Sequence, residues 1–241
     1  MRTEPGLSKA ASLKRLKDAG LAPATVFDVG VATGTPELYG VFEGVRYALI
    51  EPLVESWPFM QSLMARYPRS VAVQAAAGPS SGQATLVVPK NLSGSSLLLN
   101  AKNGAERTVP VVTLDEVAER HALAGPYLVK LDVQGYELDV LAGAQAVLAQ
   151  TCALIAEVSL WADRKGKGLA ELSALVAWLR ERDFVLFDIA QIVRRDADDA
   201  ITEMDLVFLP ASSPLRENIS YKLPGEAETA VAIRRGKFGL S

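Results

Sequence analysis

The sequence predicts an α/β fold: a mostly parallel sheet with helices on both faces. Three observations point there. Short β-rich runs alternate with helical stretches along all 241 residues. Several of those runs end in a glycine or an acid, as TVFDVG, VRYALIE and YLVKLDV do. The last two runs, DFVLFDI and EMDLVFL, look like a closing antiparallel pair.

Composition bounds the possibilities. Hydrophobic residues make up 49% and charged residues 22%, which excludes a disordered chain and supplies a sizeable core. The net charge of -3 and pI near 5.4 leave no global basic field for nucleic acid or an anionic membrane. One cysteine, Cys152, and one histidine, His121, exclude disulfide scaffolds and thiolate zinc sites. A reducing cytoplasm is the expected compartment. MRTEPGLSKA lacks the apolar core of a signal peptide. The longest uncharged run, Val140 to Ala156, is short for a span and carries Gly143, Gln145, Gln150 and Thr151. It reads as a buried helix running into a buried strand.

The elements follow in order. Leu7 to Ala19 reads as a helix with Leu13 and Leu16 on one side and Gly20 as a left-handed stop. Its basic residues, Lys9, Lys14, Arg15 and Lys17, read as a solvated face. TVFDVG is the first strand and Val45 to Glu51 the second. Glu55 to Arg66 reads as a helix with Pro58 in its first turn. Val71 to Ala77 is the third strand, and Gly82 to Val88 a further one. Asn91 to Asn100 is a Ser/Gly-rich loop. TVPVV is extended, and Pro110 suggests a sheet edge or no sheet. Thr113-Leu-Asp-Glu116 fits a capping box ahead of a helix to about His121. Tyr127 to Val133 is a strand, Tyr136 to Ala149 a helix, and Cys152 to Ser159 an apolar strand. Leu169, Leu172, Val176 and Leu179 recur at helical spacing. The tail from about Ser212 is a strand-like return or loosely ordered. No internal repeat and no long linker divides the chain.

Chemistry concentrates at the predicted strand ends. Asp28-Val-Gly30-Val-Ala-Thr-Gly34 sits where the first strand turns toward a helix. Gly30 permits a tight turn, and Gly34 lets backbone approach a ligand. The helix start beyond offers free N–H groups for a carboxylate or phosphate. Aligned to a dinucleotide fingerprint at Gly30, the chain has Ala32 and Thr35 at two glycine positions, which disfavours NAD. Glu51 ends the second strand at the same rim, where a carboxylate can accept both hydroxyls of a ribose; the alternative is a surface acid before Pro52. Asp132 ends the fourth strand, where burying it unpaired would be costly; a salt bridge to Lys130 or a cap at Gly135 would explain it structurally. Glu157 ends the next strand in the same way. Glu137 is a substrate contact or a first-turn cap. Ser95 and Ser96 touch substrate or merely turn the chain, and His121 belongs to a helix end.

The residues as they stand resemble the FkbM family of S-adenosylmethionine-dependent O-methyltransferases, from about Leu13 to Leu209. The carrying pieces are AGLAPATVFDVG, Ile50-Glu-Pro52, Ala76-Ala-Gly78 with Gly82, Ser95-Ser-Leu97, Thr113-Leu-Asp115, VKLDVQGYELDVLAGA and Met204-Asp-Leu-Val-Phe208. The resemblance implies a class I methyltransferase fold, with a seven-stranded Rossmann-like sheet and an antiparallel last strand. It implies a helical segment over residues 1–24 covering the cofactor site, a methyltransferase domain over 25–211, and an extension over 212–241. The implied reaction methylates a sugar or natural-product hydroxyl. Asp132, then Glu157, with Lys130, would be catalytic. Asp28, Gly30, Gly34, Glu51, Ala76 and Asp132 would bind cofactor, and Ser95, Ser96 and Glu137 substrate. Magnesium is compatible with the acids but not required by them. The expected partner is a small-molecule or glycan acceptor, with no nucleic acid, no membrane span, and self-association left open. One departure stands out: the family usually reads Gly-Ala-Asn-x-Gly where this chain reads Gly30-Val-Ala-Thr-Gly34, so Ala32 cannot make the hydrogen bonds of that Asn. Two rivals remain, a non-catalytic binding or assembly module on the same fold and a nucleotide-linked oxidoreductase.

Overall fold

The computed structural model describes residues 2–3, 7–90, 92, 95–98, 104–160 and 172–217. Its elements are β1 (Arg2–Thr3), α1 (Lys9–Asp18), β2 (Thr25–Val29), α2 (Pro36–Val41), β3 (Arg46–Ile50), α3 (Trp57–Arg66) and β4 (Val71–Val73). Then come β5 (Ala76–Ala77), β6 (Gly82–Val88), β7 (Ala105–Val112), α4 (Leu114–Arg120), β8 (Tyr127–Leu131), α5 (Glu137–Ala142) and α6 (Gln145–Leu148). The chain closes with β9 (Thr151–Ser159), α7 (Leu172–Arg180), β10 (Phe184–Arg194) and β11 (Ile201–Pro210).

The main sheet runs β1-β10-β11-β9-β8-β2-β3-β4. Seven of these strands are those expected, and the two-residue β1 adds an eighth at the outer edge of β10. Strands β9, β8, β2, β3 and β4 are mutually parallel, while β11 is antiparallel to both β9 and β10.

Strand alternation divides the core into two layers. Phe27, Val29, Ala48 and Ile50 face one side, with Leu114 and Val117 of α4, Val140 and Leu141 of α5, Val147 of α6 and Leu175 of α7. Val26, Leu49 and Leu128 face the other, against Leu13 and Leu16 of α1, Leu38 of α2 and Met60 of α3. Helix α1 begins at the cap Ser8 and stops before Gly20, whose φ of 108° is the expected left-handed stop.

Three expectations need correction. The stretch Val71 to Ala77 is two strands: β4 ends the main sheet, and β5 belongs to a separate sheet ordered β5-β7-β6. Pro110 lies in the middle strand of that sheet rather than at its edge. Short β5 pairs only at Val111 and Val112, so Pro110 has strand on one side, opposite Gln83, and none on the other. The helix expected over Tyr136 to Ala149 breaks into α5 and α6. A Cβ on Gly143 would meet the Gly78 carbonyl at 2.3 Å, so the chain packs too closely there for a regular helix surface. Asp115 then caps α6 from another element, its two oxygens accepting the Ala146 N–H at 3.0 Å and the Val147 N–H at 2.9 Å. Leu169 lies outside the described residues, as does most of the tail beyond Ser212.

Candidate active site

The C-terminal ends of β2, β3 and β8 converge on one pocket, as the parallel topology requires. Gly30, Ala32, Glu51 and Asp132 line its polar side. Ile50, Leu53, Leu86 and Leu97 line its apolar side, and Ala76 opens the wall made by the small sheet. Ser95, Ser96 and Leu92 bring in the loop after β6, and Gln134 and Tyr136 the turn after β8.

The first turn is shaped by close approach. A Cβ on Gly30 would lie 1.9 Å from the Asp132 carbonyl oxygen, so Gly30 lets two strand ends touch. Gly34 answers a different need than expected. A Cβ there would lie 2.1 Å from the Phe59 ring, and Gly34 does not line the pocket. Its neighbour is a side chain, not a ligand-sized space. Between them Ala32 holds φ 47°, a conformation alanine tolerates poorly and asparagine more readily. Helix α2 has only six residues and no side-chain cap, so its dipole is weak.

Glu51 is buried, not a surface acid. Its Oε2 accepts the Ala32 N–H at 2.8 Å, and its Oε1 accepts the Leu53 N–H at 2.9 Å. Burial raises its pKa against those two bonds. Each oxygen can accept a further hydrogen bond, and Glu51 lines the pocket.

Asp28 is fully buried on the α2 side of the sheet and does not line the pocket. It accepts the Tyr39 hydroxyl and faces Lys130 Nζ at 3.2 Å, directly across from it in register. Lys130 also donates to the Gly30 carbonyl at 3.0 Å and lies 3.5 Å from Asp132 Oδ2. Burial works to lower the lysine pKa, but Asp28, Asp132 and Glu157 outweigh it and the pKa is raised. Lys130 thus lies beneath the site as the shared partner of Asp28 and Asp132. The salt bridge weighed for Asp132 is present, and Asp132 lines the pocket as well.

The turn after β8 is organised by side chains. Glu137 Oε1 accepts the N–H groups of Val133 at 3.3 Å and Gly135 at 3.1 Å. It is buried behind the turn, outside the pocket lining, and burial pushes its pKa up to about 7. Gln134 Nε2 donates at 3.0 Å to both Asp132 Oδ1 and Glu157 Oε1. Glu157 lies beyond the pocket lining, opposite Asp205 of β11. Burial, then Asp132, Glu203 and Asp205, push its pKa up to about 9. Lys9 of α1 pairs with Asp205 at 3.0 Å at this end of the rim.

Ser96 is buried; its hydroxyl donates to the Gln134 carbonyl at 3.0 Å and fastens the loop over the pocket. Ser95 donates to the Leu92 carbonyl at 2.7 Å, a turn bond, while also lining the pocket. His121 ends α4 away from the site, its carbonyl taking Arg46 Nη2 at 2.8 Å. Sequence reasoning missed Gln134, Tyr39, Lys9 and Asp205. Asp205, an acid inside the apolar EMDLVFL, carried the same signal as Asp132. The other three carried none, because their roles come from tertiary contact. No group of three or more His, Cys, Asp or Glu among the described residues is arranged to hold a metal ion.

A parallel sheet closed by one inserted antiparallel strand, with its pocket at the β2–β3–β8 rim, is a class I methyltransferase fold. The Methyltransferase FkbM domain matches residues 28–186, and the chain belongs to that family of methyltransferases. Among solved structures it is similar to methyltransferase FkbM from Methylobacillus flagellatus KT, at 19% identity and a TM-score of 0.52, over 83% of this chain and 48% of that one. The chain thus spans about half the length of that protein. It is also similar to the N-methyltransferase NodS from Bradyrhizobium japonicum WM9, at 11% identity and a TM-score of 0.48, over 84% of this chain and 94% of that one. No curated protein matches the chain in sequence. No helix among the described residues is long and apolar enough to cross a membrane.

Proposed function

We propose that the protein is an S-adenosylmethionine-dependent methyltransferase that methylates a hydroxyl oxygen of a sugar or natural product. The observation that carries this reading is the pairing of Glu51 and Asp132 in one pocket beside an apolar wall. This donor set fits the cofactor: carboxylates for ribose hydroxyls and a cationic end, and Ile50, Leu53, Leu86 and Leu97 for a flat base. Bound S-adenosylmethionine supplies an electrophilic methyl group on a sulfonium. Glu51, fixed by two backbone N–H bonds, accepts the ribose hydroxyls with its free lone pairs. Asp132, held by Lys130 and Gln134, takes the acceptor proton. Glu157, whose pKa is raised by burial and the neighbouring acids, lies beyond the pocket lining and is the weaker choice of base. The accompanying domain reading is an N-terminal segment, 1–24, over the cofactor site, a methyltransferase domain, 25–211, and an extension, 212–241; Lys9 of the first pairs with Asp205 of the second.

Calorimetry with S-adenosylmethionine, S-adenosylhomocysteine and NAD tests the cofactor. Binding of the first two without NAD is expected; binding of NAD alone, or of none, overturns the reading. Release of S-adenosylhomocysteine across a panel of sugars and natural-product alcohols tests the reaction. Asp132→Asn should then slow methyl transfer by roughly 10²–10⁴-fold while cofactor affinity changes much less. His121→Ala should lose little. Activity lost with His121→Ala but kept with Asp132→Asn would remove Asp132 from its role.

A further inference from the structure

Gln134 occupies φ 56°, left-handed backbone that a non-glycine residue adopts at a cost. The turn keeps it there with three contacts to separate parts of the site. Its amide nitrogen spends one hydrogen on Asp132 Oδ1 and one on Glu157 Oε1, each at 3.0 Å. Its carbonyl accepts the Ser96 hydroxyl at 3.0 Å. A neutral amide serves two acids without adding charge, where an ammonium would neutralise them and a carboxylate would add a third.

The surroundings of the two acids are unequal. Asp132, after β8, has the Lys130 ammonium 3.5 Å away. Glu157, on β9, has Asp132, then Glu203 and Asp205 of β11 around it, with Lys9 of α1 and Lys130 of β8 opposing them. Like charges on three sides favour the protonated form at Glu157.

We propose that Gln134 is a positioning residue: by donating one amide hydrogen to Asp132 Oδ1 and the other to Glu157 Oε1 it ties the two carboxyl groups together at the rim and holds Asp132 beside Lys130. Asp132 is then presented to the pocket in one orientation, with Glu157 tied behind it outside the pocket lining. Its use toward a sulfonium rests on the methyltransferase reading; the arrangement itself does not.

The test uses the full chain without cofactor. Carbon-13 carboxyl labelling of glutamate allows Glu157 to be titrated by NMR, with Glu157→Gln assigning its signal. Asp132→Asn should move the Glu157 titration down, because a facing charge is gone. Gln134→Met is close in length but donates nothing, so the charged carboxylate loses a bond and the Glu157 titration should rise by about one pH unit. Gln134→Glu should raise it as well, and it keeps the test alive if the methionine variant does not fold. An unmoved Glu157 titration in a folded Gln134 variant, or in Asp132→Asn, overturns the proposal. Calorimetry gives a second readout. S-adenosylmethionine differs from S-adenosylhomocysteine by the charged methyl group, so Gln134→Met should reduce the preference for the former several-fold. Failure of the wild type to bind either compound would remove the methyltransferase reading and leave the titration result standing.

Discussion

Glu51 and Glu137 do the same backbone work at two neighbouring turns. Each is buried, and each accepts two N–H groups that a bend in the chain leaves without a strand partner. Yet Glu51 faces the pocket and Glu137 is sealed behind its turn. The difference is one of place: Glu51 directly follows β3, whereas Glu137 opens α5 behind the turn, so a buried acid that braces a rim turn is not by itself a ligand contact. The turns differ in a second way. The Gly30 turn is steric, shaped by missing side chains, whereas the Asp132 turn is held by side chains that also carry the chemistry.

Breaking the steric turn should have the largest effect. Gly30→Ala puts a Cβ at 1.9 Å from the Asp132 carbonyl at a φ of 76°, so both strand ends must separate. A loss of about 4 kcal/mol is expected, read as a fall of about 10 °C in the thermal midpoint. A midpoint within 2 or so degrees of wild type would show that the two turns are not packed on each other.

The next test separates the two glutamates by binding. Glu51→Ala should weaken S-adenosylmethionine by about 1.5–3 kcal/mol, as expected for lost bonds to a charged group. Glu137→Gln should leave that affinity nearly unchanged. Equal losses in calorimetry would erase the distinction.

Glu137→Gln should act on stability instead. The folded pKa of Glu137, about 7, is above the ordinary 4.5, so its favourable contribution is full below 4.5 and is lost as pH rises through 7. Thermal melts should show the wild type losing its advantage over Glu137→Gln between pH 5 and pH 8 or so. Glu157, pushed up to about 9, extends the same trend to more alkaline conditions. A wild-type advantage that grows with pH would contradict the burial of Glu137.

The smallest expected effect is a gain. Ala32→Asn places at φ 47° a residue that tolerates left-handed backbone, and should stabilise by roughly 0.5–1 kcal/mol in denaturant titrations. A loss would mean that the asparagine side chain meets the Glu51 carboxylate badly.

The strand–helix order was legible because apolar runs such as YLVKL stand out locally, and the rim acids because an acid ending such a run needs a partner. What was not legible depends on contacts distant in sequence. Asp115 caps a helix 31 residues away, which no local spacing can announce. The split of Val71 to Ala77 depends on β5 finding β7 more than thirty positions later. Gly34 looked like a ligand turn, but Phe59 from α3 fills the space beside it. Gln134 stood in plain view between Asp132 and Gly135, yet its role requires Glu157 from the next strand.

The insertion of β11 between β9 and β10 has a consequence for the chain as it is made. Strands β9 and β10 do not pair with each other; both pair with β11. Until residues 201–210 leave the ribosome, β9 therefore presents Leu154, Ile155 and Ala156 along an open edge. Among the described strands, the one that completes the interior of the sheet is the last to be synthesised. A nascent chain stalled before Ile201 should be a chaperone client and prone to edge-to-edge association, and release of ten more residues should end both.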